Sequence, residues 1–234
     1  MDATSRLAAC LANYPDVVGK VVDFDAVTDQ LYHFNFTVSN TELDAGTFSD
    51  TRKFDSWITR KLTENNCRYG IGGYMEHRTI YARSAHFDTV DEPRRLHLGV
   101  DIWAAAGTAV YAPLAGVVHS FADNDHFGDY GPTIILEHEL GGMKFYSLYG
   151  HLSKASLDGL FIGKSVDKNE KIAAFGTMDE NGHWPPHLHF QLMLDMEGKV
   201  GDYPGVCKFS EKEIYLNNIP DPQLILGFPE TINL

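Results

Sequence analysis

Residues 133–149 read TIILEHELGGMKFYSLY, two strand-like runs on either side of the pair Gly141-Gly142. Each run is short and rich in β-branched and aromatic residues, which favour a half-buried strand. A glycine pair supplies the positive φ angles that a tight hairpin turn requires. The stretch therefore predicts a β-hairpin, and with it an antiparallel sheet at the centre of the chain.

Similar runs lie on both sides of this hairpin. Residues 110–119, 171–175 and 187–194 are again short, apolar and separated by turns that contain glycine. Several short strands at such spacing are typical of antiparallel β structure. We therefore predict a mainly antiparallel β core over residues 86–200.

The flanking regions have a different character. Residues 1–85 predict a mainly helical extension, in which Asp50 caps a helix whose apolar residues share one face. These residues are Phe54, Trp57, Ile58 and Leu62. Residues 201–234 predict a short C-terminal helix and tail that pack on the core through Tyr203, Val206 and Phe209. The expected fold class is α+β.

Composition excludes two classes of function. The net charge is −13, from 19 basic and 32 acidic side chains, and such a surface repels phosphate backbones, so no nucleic-acid partner is expected. No apolar run is long enough to predict a transmembrane segment. The N-terminus lacks the pattern of a signal peptide, which predicts a cytoplasmic location, or a bacterial envelope location if a leader has been removed. Nothing in the sequence specifies an oligomeric state.

Three segments stand out among the 11 histidines: residues 97–101 (HLGVD), 149–153 (YGHLS) and 187–190 (HLHF). In the third, His187 and His189 are two apart on a predicted strand, so both imidazoles point to one face. In the first, His97 and Asp101 are too far apart on a straight strand to share an ion, but Gly99 permits a bend. Each segment alone is weak evidence, because surface histidines and His–Asp ion pairs are common.

Together the segments indicate a catalytic zinc site. Two histidines and one carboxylate give three protein ligands and leave the fourth position for water, as catalytic zinc sites do. Zinc lowers the pKa of its bound water and polarises a carbonyl group. The histidines that remain can donate and accept protons.

The motifs resemble those of the lysostaphin/LytM zinc endopeptidases, which cut the peptide cross-links of bacterial cell walls. The resemblance covers about residues 96–195. HLGVD matches the family's His-x-Gly-x-Asp, YGHLS matches Tyr-x-His-Leu-Ser, and PHLHF (186–190) matches Pro-His-x-His-Phe. GTAVYAPLAGVV (107–118) resembles the strand pair that follows the first motif.

The resemblance implies a role for each matching residue. His97, Asp101 and His189 take the positions of the ligands to one Zn²⁺ ion, and His151 and His187 take those of the unligated pair that handles protons. It also implies a small, mostly antiparallel fold with zinc in a groove, and a peptide or peptidoglycan substrate. Two departures stand out: Trp184 replaces a small residue and is expected to narrow the groove, and Gln191 replaces a frequent glutamate with little expected effect.

Several other polar residues are not expected to take part in the chemistry. His119 and His138 lie on predicted strands and are expected at the surface or at a hairpin. Arg94 and Arg95 precede the first ligand, and a surface role is favoured over binding of a substrate carboxylate.

The predicted function is a zinc-dependent endopeptidase that hydrolyses peptide bonds, with peptidoglycan stem or cross-bridge peptides as its substrate. Two alternatives remain open: an intracellular zinc amidase or peptidase with a substrate outside the wall, and a non-catalytic binding module on the same fold.

Overall fold

The computed structural model describes residues 2–229. The helices are α1 (Ala3–Leu11), α2 (Ala45–Phe48), α3 (Thr51–Glu64), α4 (Lys212–Leu216) and α5 (Gln223–Leu226). Short 3₁₀ turns lie at Ile80–Arg83, Ala85–Phe87, Lys154–Leu157 and Phe209–Glu211.

The strands of this part of the chain alternate with short turns. They are β1 (Leu31–Phe34), β2 (Tyr69–Gly72), β3 (Leu96–His97), β4 (Val100–Trp103), β5 (Ala109–Tyr111), β6 (Gly116–Asn124), β7 (Gly131–Leu140), β8 (Met143–Gly150), β9 (Ser165–Val166), β10 (Lys171–Ala174), β11 (His187–Met193) and β12 (Val206–Cys207).

Within residues 2–229, one eight-stranded sheet has the order β1-β2-β4-β11-β8-β7-β6-β9. All neighbouring pairs in it are antiparallel except β1 and β2. Two small antiparallel sheets pair β5 with β10 and β3 with β12. The predicted α+β class with an antiparallel core is confirmed.

The β7–β8 hairpin is also confirmed. Leu140 pairs with Met143 directly across the turn, and the register continues to Ile134 and Tyr149. Gly141 and Gly142 have φ values of 58° and 79°, the left-handed conformation that a tight hairpin turn favours and that glycine adopts without a steric penalty.

His138 lies on a strand of this hairpin, as expected, but the alternative of a surface position is wrong. Its side chain is 1% exposed, because the alternation along β7 turns this residue towards the core beside Phe145. Nδ1 lies 3.0 Å from the carbonyl oxygen of Ala115, and Nε2 lies 2.7 Å from Oγ of Ser147. Burial lowers the pKa of His138, so the folded protein holds it neutral.

Acidification is therefore expected to destabilise the fold through His138. Below about pH 6.5 the unfolded chain binds a proton there that the folded imidazole does not, so stability falls as pH falls, down to the lowered folded pKa. The slope from this residue is at most about 1.4 kcal/mol per pH unit. Urea unfolding of His138→Gln between pH 5 and pH 8 should show a weaker pH dependence than the wild type. His119→Gln is the control, and an equal slope in His138→Gln and the wild type would contradict the prediction.

The N-terminal region packs firmly on the core. Asp50 caps α3 as predicted, since its carboxylate accepts hydrogen bonds from the backbone N–H groups of Arg52 and Lys53. Phe54, Trp57 and Ile58 are buried in an aromatic cluster that includes Trp103 of β4. The same region also supplies β1 and β2 to the main sheet, so it is not only helical.

The described part of the C-terminal region also packs on the core, beside the first motif. Tyr203 and Cys207 are buried in a cluster with Leu96 and Leu98. Strand β12 pairs with β3, so this region lies directly beside His97. Phe209, by contrast, is 58% exposed. Residues 230–234 of the predicted C-terminal segment lie outside the described residues.

Helices in the described residues are short. The longest, α3, has 14 residues, and none combines the length and apolar character needed to cross a bilayer.

Candidate active site

Two neighbouring strands place the chemical groups of the site. In the register of β4 and β11, His189 lies opposite Asp101, and His187 lies opposite Trp103. His97 ends the short strand β3, and Gly99 then lets the chain pass close to β11. A Cβ atom on Gly99 would lie 2.7 Å from the ring of His189, so a larger residue would displace that imidazole.

The side chains of His97, Asp101 and His189 converge on one point. Nε2 of His97 lies 2.9 Å from Nδ1 of His189 and 3.2 Å from Oδ1 of Asp101. Nδ1 of His189 lies 3.0 Å from the same Oδ1 atom. All three residues are buried, and their ligand atoms lie close enough together to hold a metal ion. Two imidazoles and a carboxylate are a donor set that suits zinc.

Hydrogen bonds fix the tautomers of both imidazoles. Nδ1 of His97 lies 3.0 Å from the carbonyl oxygen of Gly73, which can only accept, so Nδ1 carries the proton and Nε2 keeps its lone pair. Nε2 of His189 lies 2.9 Å from Oε1 of Gln191, whose amide nitrogen donates to the carbonyl oxygen of Pro204. Nδ1 of His189 therefore keeps its lone pair. Partners of this kind orient metal ligands.

The protonation states also suit a metal ion. Burial lowers the pKa of His97 to about 3, so the imidazole is neutral at pH 7. Burial alone would raise the pKa of Asp101, but the charged guanidinium of Arg78 beside it helps to hold that pKa well below its usual range. A neutral imidazole and an ionised carboxylate are the forms that bind metal ions.

His151 and His187 form a second pair beside these residues. Their ring centroids are 4.1 Å apart. Nδ1 of His151 donates to the carbonyl oxygen of Asn181 and Nδ1 of His187 to that of Pro185, each at 2.8 Å. In both residues Nε2 therefore carries the lone pair of the neutral ring.

Both imidazoles of this pair are held in place and kept neutral. His187 stacks on Trp103 with 4.0 Å between ring centroids and 14° between planes. The side chain of Asn181 exchanges two 3.0 Å hydrogen bonds with the backbone of Trp184, which fixes the loop that holds His151. Burial lowers the pKa of His187 to about 4 and that of His151 well below its usual value. Both rings are therefore unprotonated on Nε2 at neutral pH.

One cavity of about 140 Å³ is lined by His151, His187, His189 and Asp101. His97 is not among its lining residues. Trp184 borders the cavity as expected, buried against Tyr81 and Phe87. Arg94 lines the cavity too, whereas Arg95 is paired with Asp88 outside it.

Two residues around the site, Arg78 and Tyr130, were not predicted from the sequence, and a third, Gln191, was expected to have little effect. Arg78 is fully buried and hydrogen-bonded to Asp101, Tyr130 lies 3.3 Å from Nε2 of His189, and Gln191 holds that same nitrogen. Gln191 lies two residues after His189 on the same face of β11, and this spacing could have predicted a contact with that imidazole. Arg78 precedes its partner by 23 residues and had no local signal.

Comparisons with known proteins agree with the motifs. Residues 95–200 match the model of peptidase family M23. A zinc-containing peptidase from Vibrio cholerae is 27% identical over 42% of this chain and 27% of its own length, with a TM-score of 0.35. The catalytic domain of lysostaphin from Staphylococcus simulans is 24% identical, over 74% of this chain and 97% of its own, with a TM-score of 0.43.

A peptidase M23 structure from Pseudomonas aeruginosa is 23% identical over 74% of this chain and 62% of its own, with a TM-score of 0.38. This chain thus spans about a quarter of the length of the Vibrio protein and nearly all of the lysostaphin domain. The search of curated proteins found no match. Residues 95–200 of this chain are thus similar to peptidase family M23, and the motifs within them resemble those of the lysostaphin/LytM type.

Proposed function

We propose that this protein is a zinc-dependent endopeptidase. The observation that carries the proposal is the juxtaposition of a His–Asp–His donor set with two further neutral histidines, beside a cavity that Asp101, His189, His151 and His187 line. A metal site alone fits a structural role. A metal site with an adjacent pair of proton acceptors fits hydrolysis.

His97, Asp101 and His189 would hold the ion. When bound, zinc supplies a Lewis acid that polarises a carbonyl oxygen and lowers the pKa of a bound water. The fixed tautomers of His97 and His189 direct one nitrogen lone pair of each ring towards the point that Oδ1 of Asp101 also faces. The three side chains therefore need not reorient when the ion binds.

His151 and His187 are proposed as the general acid/base pair. In the neutral ring, Nε2 of one histidine accepts a proton from the attacking water, and the imidazolium so formed can return a proton to the leaving amine. Both rings are neutral again when the products leave. The carbonyl groups of Asn181 and Pro185 accept from the two Nδ1 atoms and therefore support the positive charge while it exists.

The proposed substrate is a peptide of peptidoglycan, in the stem or the cross-bridge. The support is the family, whose lysostaphin member is described as an antimicrobial peptidase. The rivals are a zinc peptidase or amidase with another substrate and a binding module that has lost activity. The retention of all five motif residues argues against the binding module.

Incubation with purified peptidoglycan and with soluble stem and cross-bridge peptides tests the proposal. We expect new amine termini, detected by mass spectrometry, that disappear with a chelator and return when zinc is added. The His187→Ala variant is the control for contaminating hydrolases.

Binding to peptidoglycan without chelator-sensitive cleavage of any of these substrates would favour the binding module. Cleavage of soluble peptides but not of intact wall would favour a substrate outside the wall. Fractionation of host cells with an antibody then separates the two locations, since a wall enzyme must be found in the envelope.

A further inference from the structure

Arg78 is a charged residue with no exposure to solvent, and it lies between β2 and β3. Its guanidinium is shared among several acceptors. Nη1 donates to Oδ2 of Asp101, Nε donates to Oε2 of Glu76 at 2.7 Å, and Nη1 also lies 3.3 Å from Oη of Tyr81. A buried charge persists only when it is paired and hydrogen-bonded, as this one is.

The two oxygens of Asp101 have different surroundings. Oδ1 faces His97 and His189, at 3.2 and 3.0 Å. Oδ2 points the other way and accepts from Arg78. The guanidinium therefore leaves a single carboxylate oxygen for the point at which the two imidazoles converge.

Glu76 fixes Arg78 in turn. Oε2 of its carboxylate accepts a hydrogen bond from Nε of Arg78, and Oε1 accepts one from the backbone N–H of Phe36 at 3.0 Å. The glutamate thus joins the guanidinium to the segment that follows β1. Glu76 and Asp101 flank Arg78 on two sides, so the three side chains form a chain of alternating charge.

Residues 73–78 also position His97. The carbonyl oxygen of Gly73 accepts from Nδ1 of His97 at 3.0 Å and from Nη2 of Arg78 at 3.4 Å. Backbone hydrogen bonds tie the segment to β3: Met75 N–H to His97 O at 2.8 Å, and His97 N–H to Glu76 O at 3.0 Å. One loop from the N-terminal region therefore orients two of the three ligands.

We propose that Arg78 is a positioning residue of the metal site, and that Glu76 supports it. Arg78 occupies Oδ2 of Asp101 and so leaves Oδ1 alone to face the metal, beside His97 and His189. The inference rests on the proposed function in one respect, the identity of the metal as zinc. It makes the N-terminal region part of the site rather than an attachment to it.

Arg78→Lys is the direct test. Lysine keeps the positive charge but has no planar fork to reach Asp101, Glu76 and Gly73 together. We expect the zinc dissociation constant, measured by competition with a chromophoric chelator, to rise roughly 10- to 100-fold. We also expect the visible spectrum of the Co²⁺-loaded protein to change, because a released Asp101 changes its coordination.

The matched control is Arg83→Lys. Arg83 packs on Trp184, which lines the cavity, and donates to Oγ1 of Thr51 at 2.6 Å, but it has no hydrogen bond to His97, Asp101 or His189. Its variant should keep the zinc affinity and the Co²⁺ spectrum of the wild type. Circular dichroism and the thermal midpoint of the metal-free proteins report folding separately from metal binding.

Glu76→Gln keeps the test decisive if Arg78→Lys fails to fold. An amide at this position presents an NH₂ group to one of two donors, Arg78 or Phe36, so one hydrogen bond is lost. We expect a smaller rise in the zinc dissociation constant in the same direction.

A folded Arg78→Lys variant with unchanged zinc affinity and an unchanged Co²⁺ spectrum would overturn the proposal. If Arg78→Lys does not fold, an unchanged zinc affinity in Glu76→Gln would also overturn the proposal. None of these readouts requires peptidase activity. If the wild type binds zinc but cleaves nothing, the proposed function is wrong and the role of Arg78 still stands. If the wild type cleaves peptides but Arg78→Lys binds zinc normally, the role of Arg78 is wrong and the proposed function still stands.

Discussion

Asp101→Ala is expected to abolish stoichiometric zinc binding and, with it, all chelator-sensitive hydrolysis. The substitution removes the only carboxylate of the donor set and leaves the buried guanidinium of Arg78 without one of its two anionic partners. Two imidazoles alone fall short of the three protein ligands of a catalytic zinc site. Zinc content per chain after gel filtration, measured by atomic emission, checks the result.

His97→Ala and His189→Ala should lose zinc as well, without the added cost of an unpaired charge. Their metal-free forms are therefore expected to be more stable than Asp101→Ala. Asp202→Asn is the control, since Asp202 lines the same cavity outside the donor set and its variant should retain one zinc per chain. Full zinc occupancy in any of the three alanine variants would show that the site has been assigned to the wrong residues.

His151→Ala and His187→Ala are expected to keep zinc and lose rate. Neither imidazole belongs to the converging donor set, and their Nδ1 atoms are engaged with carbonyl groups. Removal of a general acid or base lowers kcat by roughly 10²–10⁴-fold. Steady-state rates on the peptide substrate, together with the zinc content of each variant, check both halves of the expectation.

The double variant gives a sharper result. The rings are 4.1 Å apart, and groups that act as a unit are strongly non-additive, so His151→Ala with His187→Ala should cost little more than the worse single variant. Zinc stoichiometry near zero in His151→Ala would overturn the division between ligands and acid/base residues. Wild-type kcat in either single variant would remove that residue from the chemistry.

Local patterns were sufficient for several elements of the fold. The Gly141-Gly142 turn and its flanking strands follow from φ preferences and β-branched residues, which act within a few positions of the chain. The start of α3 follows from a side-chain cap at Asp50 that bonds to N–H groups two and three residues later. In both cases the interaction that decides the local structure lies within the same short segment of the chain.

Burial of polar residues was harder to predict. His138 has the alternation of a strand residue, but which face of β7 meets the core depends on the strands packed against it. The strands β1 and β2 were missed for a related reason. They are four residues long, and they become strands because the edge of the main sheet at β4 offers partners to them.

The sequence by itself predicted which side chains form the candidate site, because three short motifs that resemble those of a known family contain His97, Asp101, His151, His187 and His189. Only the tertiary structure decided how these groups are held. His97 meets His189 across 92 positions of the chain, and Arg78 meets Asp101 across 23. The tautomers of His97 and His151 depend on the carbonyl oxygens of Gly73 and Asn181, which other parts of the fold bring to them. Such partners are fixed by strand register and loop packing, which act over long range and leave no periodic signal in the chain.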